Sequence, residues 1–311
     1  MQLLDDLSQA VLHQDTVLTI GSFDGVHRGH QHLISQVLRQ ARRLDLLGAL
    51  VTFYPHPAAI LAPHSAPRYI TTPGEKIALL EKLGLDLVAI LPFNRQLAQT
   101  SPRDFIIATK RHLRLRELWV GRNFVLGQNR TGNLEVLQAL GQELGFSVKP
   151  VEPLLWEGEV VSSTRIRRHL AAGDVRRAAA LLGRFPSLAG EVVSGAKRGR
   201  RLGIPTANLA VRAERAVPAD GVYAVYAILG AKRYLGVANV GVRPSFDNGE
   251  RIVETHILDF DEDIYGVDLV VEFVERLRDE KRFDNVDELI SQVHRDITYT
   301  RRSLSKTPQS I

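Results

Sequence analysis

Residues 16–30 read TVLTIGSFDGVHRGH, and this stretch decides the fold of the first part of the chain. Its opening residues, Thr16–Ile20, are apolar or β-branched and predict a strand. Gly21 and Gly25 predict a turn after that strand. Apolar residues then recur at helical spacing at positions 33, 34, 37, 38 and 41, so we expect a helix that starts near His27. This arrangement suits phosphate, because the first turn of a helix carries unpaired N–H groups and the positive end of the helix dipole.

Length and composition predict two ordinary globular domains. The chain has 311 residues, more than most single cores contain, and its 44% hydrophobic and 24% charged residues are near average. No apolar run is long enough to cross a membrane, and residues 1–6, MQLLDD, lack the bases and the apolar core of a secretory signal. We therefore expect a cytoplasmic protein with no membrane partner. The absence of cysteine excludes disulfides, thiolate catalysis and zinc–thiolate sites.

The formal net charge of +5 does not by itself indicate nucleic acid, because acidic and basic residues are interspersed along most of the chain. One short basic cluster consists of Lys197, Arg198, Arg200 and Arg201, beside glycines. It suits a small polyphosphate better than a duplex backbone, which needs many contacts; a solvated surface loop is the alternative. We expect no nucleic-acid partner.

The first part of the chain alternates strands and helices. Strands are predicted at 50–53, 87–91 and 118–120, and helices at 73–83 and 163–170. This alternation predicts an α/β domain in which crossover helices connect parallel strands. Residues 183–190, GRFPSLAG, interrupt the pattern, so we place a boundary there between domains 1–184 and 185–311.

The second part has a different rhythm. Strands are predicted at 222–229, 234–240, 252–258 and 269–274, with turn residues and no helices between them. That spacing predicts an antiparallel barrel or sandwich. A last helix is expected at 286–300, with its apolar stripe of Leu289, Ile290, Val293 and Ile297 packed on the barrel. We expect a frayed tail from Arg301 onward.

Two histidines supply the chemistry of the first motif. His27 and His30 are three residues apart and so share a helix face, where both can donate to phosphate oxygens while charge builds on an α-phosphorus. An attacking phosphate group on the substrate would need no protein nucleophile. Asp24 would hold a metal, bind a ribose hydroxyl or shape the turn. The alternatives are a structural histidine pair and, less favoured, a zinc site, whose metalloprotease pattern needs four-residue spacing and a glutamate.

A later segment strengthens the phosphate interpretation. Ser163, Thr164 and Arg167 open the predicted helix at 163–170, and hydroxyl and guanidinium groups there would contact the β- and γ-phosphates of a leaving group.

Together, GSFDGVHRGH at 21–30 and SSTRIR at 162–167 resemble the nucleotidyltransferase superfamily, and more narrowly the FMN adenylyltransferase half of the bacterial bifunctional riboflavin kinase/FAD synthetase family. TFYPHP at 52–57, VGRNF at 120–124, Gly127, Arg130 and Gly132 follow in the family's order. The resemblance implies a Rossmann-like domain in which His27 and His30 contact ATP phosphates. It also implies that Ser163, Thr164 and Arg167 hold the leaving pyrophosphate and that Asn123 lies near the flavin. The other motif residues expected at the ATP site are Gly21, Phe23, Asp24, Gly25 and Gly29. Leu126 and Arg122 depart from the residues common in the family.

The second candidate site follows Pro205. Thr206 and Asn208 are two apart, so in an extended segment their oxygen-bearing side chains lie on one side, where they can hold magnesium and a phosphate oxygen. Gly195 and Gly203 would let the backbone approach phosphate. The chain contains no P-loop motif, and an ordinary turn is the alternative.

Glu254 falls in the middle of a predicted strand, where a carboxylate is unusual. It would act as a general base toward an attacking hydroxyl; a cross-strand ion pair is the alternative.

Four segments of the second part, at 195–209, 218–223, 238–246 and 254–260, resemble riboflavin kinase. The resemblance implies a six-stranded barrel that uses ATP and Mg²⁺, with Thr206 as metal ligand, Asn208 as phosphate contact and Glu254 as base. Over the whole chain it implies that riboflavin becomes FMN in the second domain and that FMN becomes FAD in the first. The rivals are an adenylyltransferase for another phosphorylated metabolite, with a flavin-sensing second domain, and a nucleic-acid or regulatory binding module.

Two features of the second part receive weaker interpretations. Residues 259–263, DFDED, begin like a calcium loop, but Ile264 and Val270 stand where glycine and glutamate are required, so a solvated hairpin is expected. Arg278 is a candidate contact for a flavin or its phosphate, with a surface ion pair as the alternative.

Overall fold

The computed structural model describes residues 1–194, 202–242 and 251–305. The chain divides into two compact units, Met1–Ser162 and Ser163–Ile311. This division falls earlier in the chain than the boundary at 184/185, which stays a prediction. The predicted phosphate contact at Gly195 lies outside the described residues. Among the described residues, no helix has both the length and the apolar character that crossing a membrane requires.

The first unit is built on a parallel sheet. Its strands are β1 (Gln2–Leu4), β2 (Thr16–Ile20), β3 (Leu47–Tyr54), β4 (Leu87–Pro92), β5 (Leu115–Gly121) and β6 (Ser147–Val151). They lie in the order β1-β4-β3-β2-β5-β6, and every neighbouring pair is parallel. The α/β prediction is therefore confirmed, and β2 has the predicted bounds.

Helices bury the sheet of the first unit from both faces. They are α1 (Arg28–Leu44), α2 (Pro57–Leu61), α3 (Pro73–Lys82), α4 (Arg95–Ala98), α5 (Pro102–Leu113) and α6 (Leu134–Leu144). Leu18 of β2 packs into a core with Ile106 of α5, whereas Val17 packs with Val37 of α1. All five residues of β2 are buried, as expected for a central parallel strand covered on both sides. A small antiparallel pair, β7 (Leu155–Trp156) and β8 (Glu159–Val160), follows β6.

The sheet order creates a crevice beside β2. This strand pairs with β3 on one side and β5 on the other, so the chain reverses its direction of progress across the sheet at β2. In open α/β sheets, ligands bind outside the carboxyl ends of the strands at such a switch point. The carboxyl end of β2 leads into the Gly21–Gly25 turn, and that of β5 leads into the loop containing Asn123.

The second unit begins with two helices, α7 (Ser163–Ala171) and α8 (Val175–Leu182), and continues as a barrel. The strands are β9 (Ser187–Val193), β10 (Ala207–Leu209), β11 (Gly221–Leu229), β12 (Lys232–Val242), β13 (Arg251–Ile257) and β14 (Asp268–Arg278). Within the described part of this unit they form a closed barrel in the order β10-β13-β12-β11-β14-β9, with antiparallel pairing throughout. The barrel prediction is confirmed over the sandwich alternative.

Helix α9 (Val286–Leu304) packs on β11 and β12, as predicted; its buried residues are Asp296, Thr300 and Leu304, whereas the predicted apolar stripe is half-buried. Asn285 caps it by accepting a hydrogen bond from the backbone N–H of Glu288. The expected fraying at Arg301 was wrong for the described residues, because the helix continues to Leu304, which is buried. The Arg301 guanidinium also donates two 2.7 Å hydrogen bonds to the carboxylate of Asp259.

Candidate active sites

The two motif histidines of the first unit form a stacked pair at the start of α1. His27 is the residue that caps the helix, and its Nδ1 accepts a 3.2 Å hydrogen bond from the backbone N–H of His30. The imidazole rings lie 3.6 Å apart between centroids and 17° from parallel. Because Nδ1 of His27 is an acceptor, the proton of its neutral form is on Nε2. The predicted helix start is confirmed.

His30 is held in an environment that keeps it neutral. Its ring contacts the ring of Phe23 at a centroid distance of 4.9 Å, and its Nδ1 is buried with no hydrogen-bond partner. Burial, and then the nearby charges of His27 and Lys76, hold the pKa of His30 well below 6.5. At pH 7 His30 is therefore neutral, and its contact with an ATP phosphate stays a prediction.

Asp24 shapes the turn between β2 and α1. The side chain is 1% exposed, and its carboxylate accepts hydrogen bonds of 3.1 to 3.2 Å from the backbone N–H groups of Ile70 and Thr71 and from the hydroxyl of Thr71. These donors occupy the carboxylate, so the geometry favours the turn-shaping role over metal or ribose binding. Its predicted contact with ATP stays a prediction. Within the described residues, no group of three or more His, Cys, Asp or Glu side chains could hold a metal ion.

Two glycines of the motif are required by close packing. Gly25 has φ of +80°, and a Cβ there would lie 3.0 Å from the side chain of Ile70. A Cβ on Gly29 would lie 3.2 Å from the His27 ring. Both glycines therefore keep the turn compact, while Gly21 precedes the turn directly after β2.

Lys76 of α3 was missed by sequence reasoning. It is 5% exposed, and its Nζ donates to the carbonyl oxygen of Ser22 at 2.8 Å and to the hydroxyl of Thr52 at 3.4 Å. Burial lowers its pKa from 10.5 to about 8, against the opposing effect of Asp24. Its burial could have been predicted from its position four residues before Leu80, which places both residues on the buried face of α3.

A cavity of about 600 Å³ lies in the first unit beyond the carboxyl end of β3. Its lining is mainly apolar and aromatic, with Phe53, Phe93 and Phe105, and two guanidinium groups, Arg95 and Arg130, also line it. The lining includes residues 126–130 but not Asn123, which is exposed in the loop before them. Arg130 belongs to one of the motifs found in the sequence, whereas nothing in the sequence marked Phe93 or Arg95 as site residues.

Ser163, Thr164 and Arg167 occupy the first two turns of α7, so the predicted helix start is confirmed. Thr164 is exposed, and Ser163 and Arg167 are half-buried. In the division of the chain, α7 belongs to the second unit. Contact of these residues with pyrophosphate stays a prediction.

In the second unit, strand pairing brings Asn208 and Glu254 together. Asn208 of β10 lies directly opposite Glu254 of β13, and Asn239 of β12 lies opposite Glu254 on its other side. Side chains at directly paired positions project from the same face of a sheet, so the carboxylate is flanked by two amides. Asn239 was quoted in a motif but had no predicted role; its amide donates to Glu280 at 3.1 Å.

A cavity of about 350 Å³ is lined by Thr206, Asn208, Thr255 and residues 260–265, but Glu254 is not among its lining residues. The expectation that the 259–263 segment is simply a solvated hairpin was incomplete. Asp261, Glu262 and Asp263 are exposed, but the segment also forms one wall of the cavity, with Phe260 and Tyr265 at its ends.

The donors at this cavity suit a magnesium ion. Mg²⁺ prefers oxygen ligands, and Thr206 supplies a hydroxyl while Asn208 supplies a carbonyl oxygen. Asn208 is 6% exposed, and its Oδ1 is buried without a hydrogen-bond partner. His256 Nδ1 lies 2.8 Å from the carbonyl oxygen of Pro205 and so ties the Thr206 segment to β13. Gly203 has φ of +72°, which suits the turn before this segment.

Arg278 forms an ion pair, but with the buried Asp296 and not the surface pair that was its alternative interpretation. Its Nε and terminal nitrogen lie 2.9 to 3.3 Å from the carboxylate of Asp296, and another nitrogen donates to the carbonyl of Asp279 at 3.0 Å. The guanidinium also lies 5.8 Å from the centre of the Phe283 ring. Direct flavin binding by Arg278 stays a prediction.

Comparison with known proteins identifies both units. The FAD synthetase family matches residues 9–165, and the riboflavin kinase family matches residues 182–304. A bifunctional riboflavin kinase/FMN adenylyltransferase of Escherichia coli K12 is 38% identical over 295 residues, covering 94% of each chain. One from Bacillus subtilis 168 is 35% identical over 286 residues, covering 90% of each chain. A crystal structure described as a macrolide-efflux protein from Streptococcus pneumoniae has a TM-score of 0.88 and 32% identity, covering 96% of this chain and 98% of its own.

A parallel sheet with a histidine pair at a helix start, followed by a closed barrel with a cavity lined in part by Thr206 and Asn208, defines a two-domain transferase class in which a FAD synthetase domain precedes a riboflavin kinase domain. The chain belongs to the family of bifunctional riboflavin kinase/FMN adenylyltransferases. The family resemblance read from the motifs is confirmed.

Proposed function

We propose that this chain makes FAD from riboflavin in two reactions, each of which consumes one ATP. The barrel unit transfers the γ-phosphoryl group to the 5′-hydroxyl of the ribityl chain, which yields FMN and ADP. The N-terminal half then transfers AMP from a second ATP to FMN, which yields FAD and pyrophosphate. The proposal rests on one observation: this chain, a member of the family, carries both the stacked His27–His30 pair and the paired Asn208–Glu254 positions.

In the kinase reaction, Glu254 acts as the general base. It takes the proton of the ribityl hydroxyl as the hydroxyl oxygen attacks the γ-phosphorus, and ADP leaves. Thr206 would hold Mg²⁺, which neutralises phosphate charge when it is bound with ATP, and Asn208 would contact the phosphate. Asn208 and Asn239 occupy the positions paired with Glu254 on the two neighbouring strands, so polar side chains flank the proposed base.

In the adenylyl transfer, the attacking group is a phosphate oxygen of FMN, so no general base is required. The oxygen attacks the α-phosphorus of ATP, and the bond to the β-phosphate oxygen breaks. His27 and His30 donate N–H groups to the oxygens on which charge builds. Ser163, Thr164 and Arg167 contact the departing pyrophosphate, in keeping with the motif.

Flavin binding in the N-terminal unit is assigned to the 600 Å³ cavity. Phe53, Phe93 and Phe105 offer apolar faces to the ring system, and Arg95 and Arg130 offer positive charge to the FMN phosphate. Asn123, in the same loop as Arg130, is assigned to the flavin beside this cavity. In the barrel unit, Arg278 is assigned to the riboflavin site.

We also propose that the protein acts in the cytoplasm, where ATP and Mg²⁺ are plentiful, without a nucleic-acid or membrane partner. The interspersion of acidic and basic residues along the chain supports the part of this proposal that concerns nucleic acid.

The proposed function is tested by incubating the protein with riboflavin, ATP and Mg²⁺ and separating the flavins by chromatography over time. We expect FMN first and FAD later, with one ADP and one pyrophosphate per FAD. A second reaction starts from FMN. Failure to form FAD from FMN would overturn the adenylyl-transfer half, and failure to form FMN from riboflavin would overturn the kinase half.

A further inference from the structure

The phosphate-binding turn of the first unit rests on a buried positive charge. Lys76 is 5% exposed, and its hydrogen bonds go to the Ser22 carbonyl and the Thr52 hydroxyl. Neither partner is negatively charged. The charged group that influences its pKa is Asp24, whose carboxylate is occupied by the Ile70 and Thr71 donors, and the neighbouring titratable group is His30, whose pKa Lys76 helps to lower.

A buried ammonium group in such surroundings is costly, because it has lost its hydration without gaining a carboxylate in direct contact. A leucine or methionine would fill the same space without that cost. The energetic balance changes when a triphosphate binds at the helix start, since its negative charge compensates the ammonium through a medium of low dielectric.

We propose that Lys76 is a positioning residue for adenylyl transfer, which fixes the Gly21–Gly25 turn through the Ser22 carbonyl and supplies a fixed positive charge behind the triphosphate site. This inference rests on the proposed function of the first unit. Lys76 acts through the backbone of the turn and does not touch substrate, so it is distinct from His27 and His30. The Gly21–Gly25 turn is also fixed by Asp24, which accepts hydrogen bonds from the backbone of residues 70–71. These two residues directly precede the cap of α3, the helix that carries Lys76.

The proposal predicts a specific pH dependence. The pKa of Lys76 is about 8, so its ammonium group loses its proton as pH rises through that value. Adenylyl transfer should then decline above about pH 8, while phosphoryl transfer in the barrel does not depend on Lys76. An exposed lysine, which keeps its proton throughout this range, would not produce a separate alkaline limb in one of two reactions of the same chain.

The experiment compares Lys76→Met, Lys76→Arg and a control, Lys82→Met, which removes an exposed lysine from the same helix. FAD formation from FMN is measured as kcat/KM for ATP between pH 6 and pH 9.5, with FMN formation from riboflavin measured in parallel. We expect Lys76→Met to lose on the order of tenfold to a hundredfold in FAD formation. Lys76→Arg should retain more activity and lose the alkaline limb, because arginine does not titrate in this range. Lys82→Met should match the wild type.

The proposal is overturned if Lys76→Met matches Lys82→Met, or if Lys76→Arg keeps the alkaline limb. If neither Lys76 variant folds, the pH profile of the wild-type protein is the test. The proposal is then overturned if FAD formation does not decline above about pH 8 while FMN formation persists. Wild-type protein that makes no FAD from FMN at any pH would instead overturn the proposed function, and this inference with it.

Discussion

The two units place a carboxylate beside their candidate phosphate sites in opposite ways. Asp24 in the first unit is buried, and its oxygens accept hydrogen bonds from the backbone of Ile70 and Thr71. Glu254 in the second unit is partly exposed in mid-strand, between two paired asparagines. The contrast follows the chemistry proposed for each unit, because an FMN phosphate oxygen has no proton to lose whereas a ribityl hydroxyl does. A carboxylate in a sequence motif can therefore be judged as a candidate base only after the backbone N–H groups that donate to it are known.

The largest effect should come from removing the base. Glu254→Gln keeps the size of the side chain but cannot accept the hydroxyl proton, so FMN formation should fall on the order of a hundredfold to ten-thousandfold. FAD formation from supplied FMN should persist. Both rates are measured on the same preparation, with Glu191→Gln on β9 as an exposed control in the same barrel. Equal losses in both reactions would abolish the distinction between the units.

The mirror experiment is His30→Ala. Loss of a transition-state donor typically costs about 3 kcal/mol, so FAD formation from FMN should fall on the order of a hundredfold while FMN formation from riboflavin is retained. His32→Ala on the same helix is the matched control and should leave both rates unchanged. A His30→Ala enzyme with normal FAD formation would remove the stacked pair from the mechanism.

The smallest effect is expected for Asp24→Asn, which sharpens the comparison of the two carboxylates. The amide cannot accept as strongly from the Ile70 and Thr71 donors, so the first unit should lose about 2 kcal/mol of stability. Hydrogen exchange at those two amides is the direct measurement, and Asp45→Asn at an exposed helix end is the control. If exchange is unchanged but FAD formation is lost, Asp24 acts on substrate and the contrast with Glu254 disappears.

Most of the fold could be predicted because its elements have strong local patterns. The bounds of β2 and the starts of α1, α7 and α9 follow from glycine turns, capping residues and apolar spacing. Strand β10 has only three residues and no such pattern, and it is defined by its pairing with β9 and β13. The length of α9 was underestimated for the same reason, since Arg301 is held by Asp259, which is distant in sequence.

The features of the candidate sites also divide into those set by local sequence spacing and those set by contacts between distant segments. Spacing alone placed His27 and His30 at a helix start and Thr206 near Asn208, because these relations are local. The use of Asp24 by residues 70–71, the burial of Lys76 beneath Ser22 and the lining of the 600 Å³ cavity all join segments far apart in the chain. These features result from tertiary packing, which the few residues on either side of a position in the sequence do not reveal.

The pairing register of β13 has a consequence for how this enzyme tolerates insertions. Glu254 and His256 are two residues apart, so one strand face carries both the proposed base and the tether to Pro205. One extra residue ahead of them would rotate both to the opposite face and would turn the buried side chains of Val253, Thr255 and Ile257 outward. An insertion in this strand would therefore remove the proposed base and destabilise the barrel together, so a stability screen would detect it.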